Sequence, residues 1–113
     1  MSFLKTLFGE NKSKYRNIKL LDPLEFRSQI KDQNVQLIDV RTPHEYNQEK
    51  ISGAINFDFY ANNFIDGISS LEKDKPVYLY CRSGVRSRRA SKKLAKLGFV
   101  EIYDLKGGIL KWR

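Results

Sequence analysis

The sequence predicts an α/β fold with a mostly parallel central sheet and helices on both faces. Three observations predict it. Short β-rich runs alternate with segments of helical pattern along the whole chain, the arrangement that builds parallel strand–helix–strand units. The best of these runs, Val35–Val40 and Val77–Tyr80, read as largely buried strands rather than as half-exposed ones. Two helix starts carry a capping residue followed by proline, which marks where strand connections turn into helices.

Ile18–Leu21 is a short apolar run and the first strand. Asp22-Pro23 supplies an N-cap and a proline at the first helical position, so a helix runs to about Lys31 with Leu24, Phe26 and Ile30 as apolar contacts. Asp32–Asn34 is a turn before Val35–Val40. Thr42-Pro43-His44-Glu45 is a capping box with proline inside it and opens the next helix. Arg41 and Glu45, four apart, are placed to pair. Ile51–Phe57, with Gly53 near its start, fits a short strand behind a tight bend, and Asn63–Leu71 fits a short helix. After the turn Asp74-Lys75-Pro76, Val77–Tyr80 is the clearest strand and runs straight into Cys81. From Ser87 to Leu97 the pattern turns helical. Ala90, Leu94 and Leu97 share one face, and Arg88, Arg89, Lys92, Lys93 and Lys96 cover the other. Gly98 stops that helix, Val100–Leu105 is the last strand, and Gly107-Gly108 turns into a short closing helix, Ile109–Trp112.

Composition narrows the function classes. The chain has 113 residues, 41% hydrophobic and 30% charged, which are globular values for one core. A loosely ordered N-terminal segment over 1–16 is expected to precede a domain over 17–113. Met1–Phe8 carries Phe3, Leu4, Leu7 and Phe8 but lacks the longer apolar stretch of a signal peptide. No apolar run reaches the ~18 residues of a membrane span, so a cytoplasmic protein is expected. One cysteine and one histidine exclude an intramolecular disulfide and a zinc site rich in those residues, and no metal or cofactor is called for. The net charge is +8, and all of the excess lies after Cys81: up to that residue eleven basic side chains balance eleven acidic ones, and beyond it ten face only Glu101 and Asp104. Such a field suits a small anionic ligand; a solvated lysine-rich face and a nucleic-acid surface are the competing readings.

Cys81-Arg82-Ser83-Gly84-Val85-Arg86 joins a strand to a helix. In open α/β sheets ligands bind beyond the carboxyl ends of the strands, where Cys81 lies. A loop feeding a helix start aims several backbone N–H groups at one spot, and Gly84 lets the chain turn back on itself. With Arg82 and Arg86 adding positive charge, the thiol is expected to ionise below its free value of ~8.5. A thiolate in an anion cradle fits two reactions: transfer of a sulfane sulfur, and attack on phosphorus or arsenic in an oxyanion. Phosphoester cleavage needs an acid for the leaving group, and no histidine lies near the loop in sequence. Sulfur transfer needs no general base.

Four motifs, in order, resemble the rhodanese family of sulfurtransferases. Leu37-Ile38-Asp39-Val40-Arg41 with Glu45-Tyr46 is similar to the family's D-V-R-x-x-x-E-Y, and Ile51-Ser52-Gly53-Ala54-Ile55-Asn56 to its I-x-G-A-I-N. Tyr80–Ser87 resembles its active-site loop, and Leu105-Lys106-Gly107-Gly108 with Trp112 its closing L-x-G-G-x-x-x-W. The resemblance covers roughly Ile18–Arg113. It implies a persulfide on Cys81, made from thiosulfate or a persulfide donor and passed to cyanide or a thiol. The implied partners are a small anionic sulfur donor and a thiol or protein acceptor, with nucleic acid disfavoured and a monomer as default. It also implies substrate contacts at Arg82, Ser83, Gly84, Val85 and Arg86, mainly through the backbone, with Arg82 and Arg86 as side-chain contacts to the donor. Glu49-Lys50 stands where the family usually has Gly-His, so altered packing is expected there. Phosphatases of related fold use C-x5-R; here Ser87 occupies that position and Arg86 falls one earlier, a loop sized for sulfur. The alternatives are an oxyanion enzyme of phosphatase or arsenate reductase type and a non-enzymatic sulfur carrier or binding module. His44, in a helix's first turn, reads as a surface residue.

Overall fold

The computed structural model describes residues 15–31 and 34–112. Strands and helices alternate as β1 (Ile18–Leu21), α1 (Pro23–Ile30), β2 (Gln36–Asp39), α2 (Pro43–Gln48), β3 (Ile55–Asn56), α3 (Phe64–Ile68), β4 (Val77–Tyr80), α4 (Val85–Lys96) and β5 (Ile102–Leu105), closed by a 3-10 turn, Gly108–Lys111. All pairings are parallel, in the order β1-β5-β4-β2-β3. β4 therefore lies at the centre, and its carboxyl end is flanked by the ends of β2 and β5.

Side-chain alternation on β4 builds the two halves of the core. Val77, Leu79 and the following Cys81 face one cluster with Phe64 and Ile68 of α3 and Ala90 and Leu94 of α4. Tyr78 and Tyr80 face the other, with Phe26 of α1 and Ile109 of the closing turn. Helices thus cover both faces, as expected. No helix among the described residues is long and apolar enough to cross a membrane.

Both predicted caps form. Asp22 Oδ1 accepts from the Glu25 N–H at 2.9 Å, and the Thr42 hydroxyl accepts from the Glu45 N–H while the Glu45 carboxylate accepts from the Thr42 N–H. Phe26 is fully buried, but Leu24 is 80% exposed: α1 has two turns, and a residue two positions before Phe26 lies on its outer side. The Ile51–Phe57 strand shrinks to Ile55–Asn56 because Ile51–Ala54 closes a turn, with the Ala54 N–H donating to Ile51 O and Gly53 at φ +89°. α3 and β5 are shorter than expected, and α4 starts at Val85 rather than Ser87. Its basic side chains Arg88, Arg89, Lys92, Lys93 and Lys96 are exposed. Trp112 packs edge-on against Phe26, with the Arg27 guanidinium 3.8 Å from its ring centre. The Met1–Phe8 segment, Arg113 and most of the Asp32–Asn34 turn lie outside the described residues.

Candidate active site

Cys81 leaves β4 at its carboxyl end, and three residues later the chain enters α4. That sharp reversal needs Gly84, whose φ of +110° is open to glycine and strained for other residues. The reversal brings the Gly84 N–H to 3.0 Å from Cys81 Sγ, where it donates to the sulfur. The first N–H groups of a helix lack intrahelical acceptors, so the start of α4 adds further donors beside it. Cys81 is only 1% exposed, whereas Arg82, Ser83 and Val85 around it are exposed and Gly84 is half-buried. The sulfur thus sits at the floor of a loop whose rim faces solvent.

The loop is held from behind by the closing turn. The Ile109 N–H donates to Cys81 O at 2.9 Å and the Leu110 N–H to Arg82 O at 3.2 Å. A Cβ on Gly108 would lie 2.3 Å from Arg82 O and 2.7 Å from Cys81 O, so no larger residue fits without moving the loop. Gly108 is thus a backbone-on-backbone contact beneath the cysteine.

Arg86 pairs with Glu45 while staying close enough to Cys81 to feel its charge. Its guanidinium donates to both oxygens of Glu45, at 2.7 and 3.0 Å, tying α4 to α2. This corrects the expected Arg41–Glu45 pair. Arg41 precedes the Thr42 cap, so the i,i+4 geometry of a helix does not apply to it. It pairs instead with Asp39 at 2.7 Å, both residues buried. Asn56 locks the same strand end by donating to Asp39 O and Arg41 O. With Arg86 occupied, Arg82 is the loop cation that forms no ion pair among the described residues. It lines a cavity of about 190 Å³ together with Arg41, Glu45, Gln48, Glu49 and Ile109.

The Arg86 guanidinium holds the Glu45 carboxyl down to about 2. Burial does the opposite to Asp104 on β5, pushing it up to about 6 against the Ser87 hydroxyl and the Arg88 charge. Sequence reasoning singled out neither Ser87 nor Asp104 as a site residue. Ser87 is fully buried, and its Oγ lies 3.5 Å from Cys81 Sγ. A serine in a small polar loop and a lone acid in a strand carry little signal on their own. Around the altered Glu49-Lys50, Arg41 donates to Glu49 O and Lys50 Nζ lies 4.6 Å from the Tyr46 ring centre. His44 is exposed. Tyr46, Tyr78, Tyr80 and Tyr103 are packed or hydrogen-bonded in the fold, and Tyr60 is 64% exposed. No cluster of three or more His, Cys, Asp or Glu side chains that could hold a metal occurs among the described residues.

Comparison with known proteins places this geometry. The Bacillus subtilis protein YqhL is 44% identical over 97 residues, which are 86% of this chain and 74% of that protein. The tRNA uridine(34) hydroxylase of Pelagibacter ubique is 36% identical over 88% of this chain, but the match spans only 34% of that protein. Among solved structures, a rhodanese-like domain protein from Staphylococcus aureus superposes with a TM-score of 0.74 at 26% identity, covering 84% of this chain and 91% of that one. The polysulfide-sulfur transferase of Wolinella succinogenes superposes with a TM-score of 0.69 at 25% identity, covering 97% and 83%. Residues 22–113 match the profile of the rhodanese-like domain, and with the cysteine loop, its glycine support and the parallel sheet in place, the chain belongs to the rhodanese-like domain family.

Proposed function

We propose that this chain is a sulfurtransferase in which Cys81 carries the sulfur. The observation that supports it best is the Gly84 N–H 3.0 Å from Sγ at the floor of a solvent-facing loop, a place built to hold negative charge on sulfur. The Cys81 thiolate attacks the sulfane sulfur of thiosulfate. The new S–S bond forms as the old one breaks, and sulfite leaves with the electron pair. The outer sulfur of the resulting persulfide carries the charge and meets the backbone donors of Ser83, Gly84 and Val85. An acceptor thiolate or cyanide then attacks that outer sulfur and returns Cys81 as thiolate. No proton has to be supplied in either step. Arg82 meets the donor anion, and Arg86 positions the loop through Glu45.

The resemblance to the W. succinogenes sulfur transferase supports the reaction class. The tRNA hydroxylases are matched over about a third of their length, so their activity is not carried to this chain. The C-x4-R spacing speaks against phosphoester chemistry: the position where a phosphatase needs arginine holds Ser87, buried against the sulfur. The cytoplasm belongs to the same proposal, since a lone reactive thiol persists in a reducing compartment. Steady-state turnover of thiosulfate and cyanide tests the reading. Thiocyanate formation by wild type and none by Cys81→Ala is expected. Phosphoester hydrolysis lost in Cys81→Ala, without thiocyanate formation by wild type, would overturn it.

A further inference from the structure

Asp104 is a buried acid that the sulfur-transfer steps do not use. Alternation along β5 turns it to the α4 side, the face on which Ile102 packs. It is 3% exposed, and its Oδ1 has no hydrogen-bond partner among the described residues. Its polar neighbour is the Ser87 hydroxyl. On its other side it lines a surface groove of about 240 Å³ with Tyr15, Ile18, Leu20, Arg88 and Lys92, through which protons can reach it. The charged and titratable groups around it are therefore Arg88 and Lys92 of α4, Tyr15 ahead of β1, and Cys81 beyond Ser87. Its strand neighbours Leu20 and Leu79 are apolar.

The Ser87 hydroxyl donates to Gly84 O at 3.3 Å, and its oxygen accepts from the Cys81 thiol at 3.5 Å; the Asp104 carboxyl is the competing acceptor beside it. A charged acceptor outcompetes a neutral one. We propose that Asp104 is a positioning residue that sets, through the Ser87 hydroxyl, whether Cys81 Sγ is offered a hydrogen-bond donor. When Asp104 is ionised it draws the Ser87 proton, and Ser87 turns a lone pair to the sulfur. When Asp104 is neutral the hydroxyl is released to donate to a thiolate or persulfide. The burial that pushes Asp104 up to about 6 places this change where a cell's pH can reach it.

The inference rests on Cys81 being the nucleophile, but its test does not depend on the sulfur donor. The rate of Cys81 alkylation by iodoacetamide is followed from pH 5 to 9 for wild type, Asp104→Asn, Ser87→Ala and the double variant, with circular dichroism as the folding check. Asp104→Asn is expected to move the half-maximal pH down by about 0.5–1 unit, the size of one net hydrogen bond, and to remove an inflection near 6. In the Ser87→Ala background the same substitution is expected to do nothing further. Superimposable wild-type and Asp104→Asn profiles would overturn the proposal. So would an equal shift in the Ser87→Ala background, which would mean that the charge acts directly through space. If Asp104→Asn does not fold, Ser87→Ala decides alone, because an inflection it retains contradicts the relay. Iodoacetamide reads the thiol whether or not thiosulfate is a donor, so this failure is distinguishable from a failure of sulfur transfer.

Discussion

Glu45 and Asp104 flank the cysteine loop from opposite sides and are displaced in opposite directions, so they act on stability in different pH windows. Glu45 is held at about 2 by Arg86, below the ordinary 4.5. Folding favours its charged form, and the gain is full above 4.5 and lost as the pH falls toward 2. Glu45→Gln is therefore expected to cost about 1–3 kcal/mol at pH 7, the range of a charged hydrogen-bonded pair, with the difference from wild type closing below pH 4.5. Urea unfolding at pH 7 and pH 3 checks this. Asp104 rises from 3.8 to about 6, so the folded state binds more protons than the unfolded state in that interval. Stability falls as the pH rises through that window, and ionised Asp104 destabilises the fold above it. Asp104→Asn is expected to stabilise the protein by about 1–3 kcal/mol at pH 7.5, with the gain fading as the pH falls toward 4. Thermal melts across pH 4–8 decide it; an Asn variant less stable than wild type throughout would contradict the assignment.

At the scale of elements, two glycines hold the loop by different means. Gly84 owes its identity to its backbone angle: an added Cβ would find only Gly107 N, at 3.9 Å. Gly108 has both a φ of +67° and a backbone oxygen 2.3 Å from where its Cβ would be. Gly84→Ala is expected to cost about 1–2 kcal/mol of backbone strain while retaining a loop that loads sulfur. Gly108→Ala is expected to displace Cys81 and Arg82 and to reduce loading by thiosulfate at least about tenfold, as an ångström-scale misplacement does. Loading kinetics and melts of the two variants separate the cases. Most elements were legible because their signals are local: Thr42 and Asp22 announce helix starts, and Val77–Tyr80 announces the central strand. Pairings across the fold were not. Arg86 meets Glu45 forty-one residues away, because the sheet order sets that distance and chain spacing does not. The 2.3 Å approach at Gly108 likewise follows from which strand lies beside β4. Leu24 misled because a two-turn helix has room to bury one face only.

For the whole molecule, the net charge of +8 and its concentration after Cys81 create a positive field around the loop that bears the sulfur. The side chains of Arg88, Arg89, Lys92, Lys93 and Lys96 are exposed, so they are expected to act on the approach of a donor rather than on its chemistry. Loading by dianionic thiosulfate is therefore expected to slow several-fold between about 10 and 150 mM salt, as the screening length shortens to about 8 Å. Lys92→Gln, Lys93→Gln and Lys96→Gln together are expected to flatten that dependence while leaving the persulfide yield at saturation unchanged. Stopped-flow loading rates against ionic strength measure both. The sheet, the helix start and the glycine-backed loop all converge on a single sulfur atom, the one proposed to accept another. The most direct test is the intact mass of the purified protein before and after thiosulfate, beside Cys81→Ala. A gain of one sulfur, removed by cyanide and absent from the variant, is the predicted result. An unchanged mass, with Cys81 still open to alkylation, would contradict it for thiosulfate, and the same result with persulfide donors would contradict it outright.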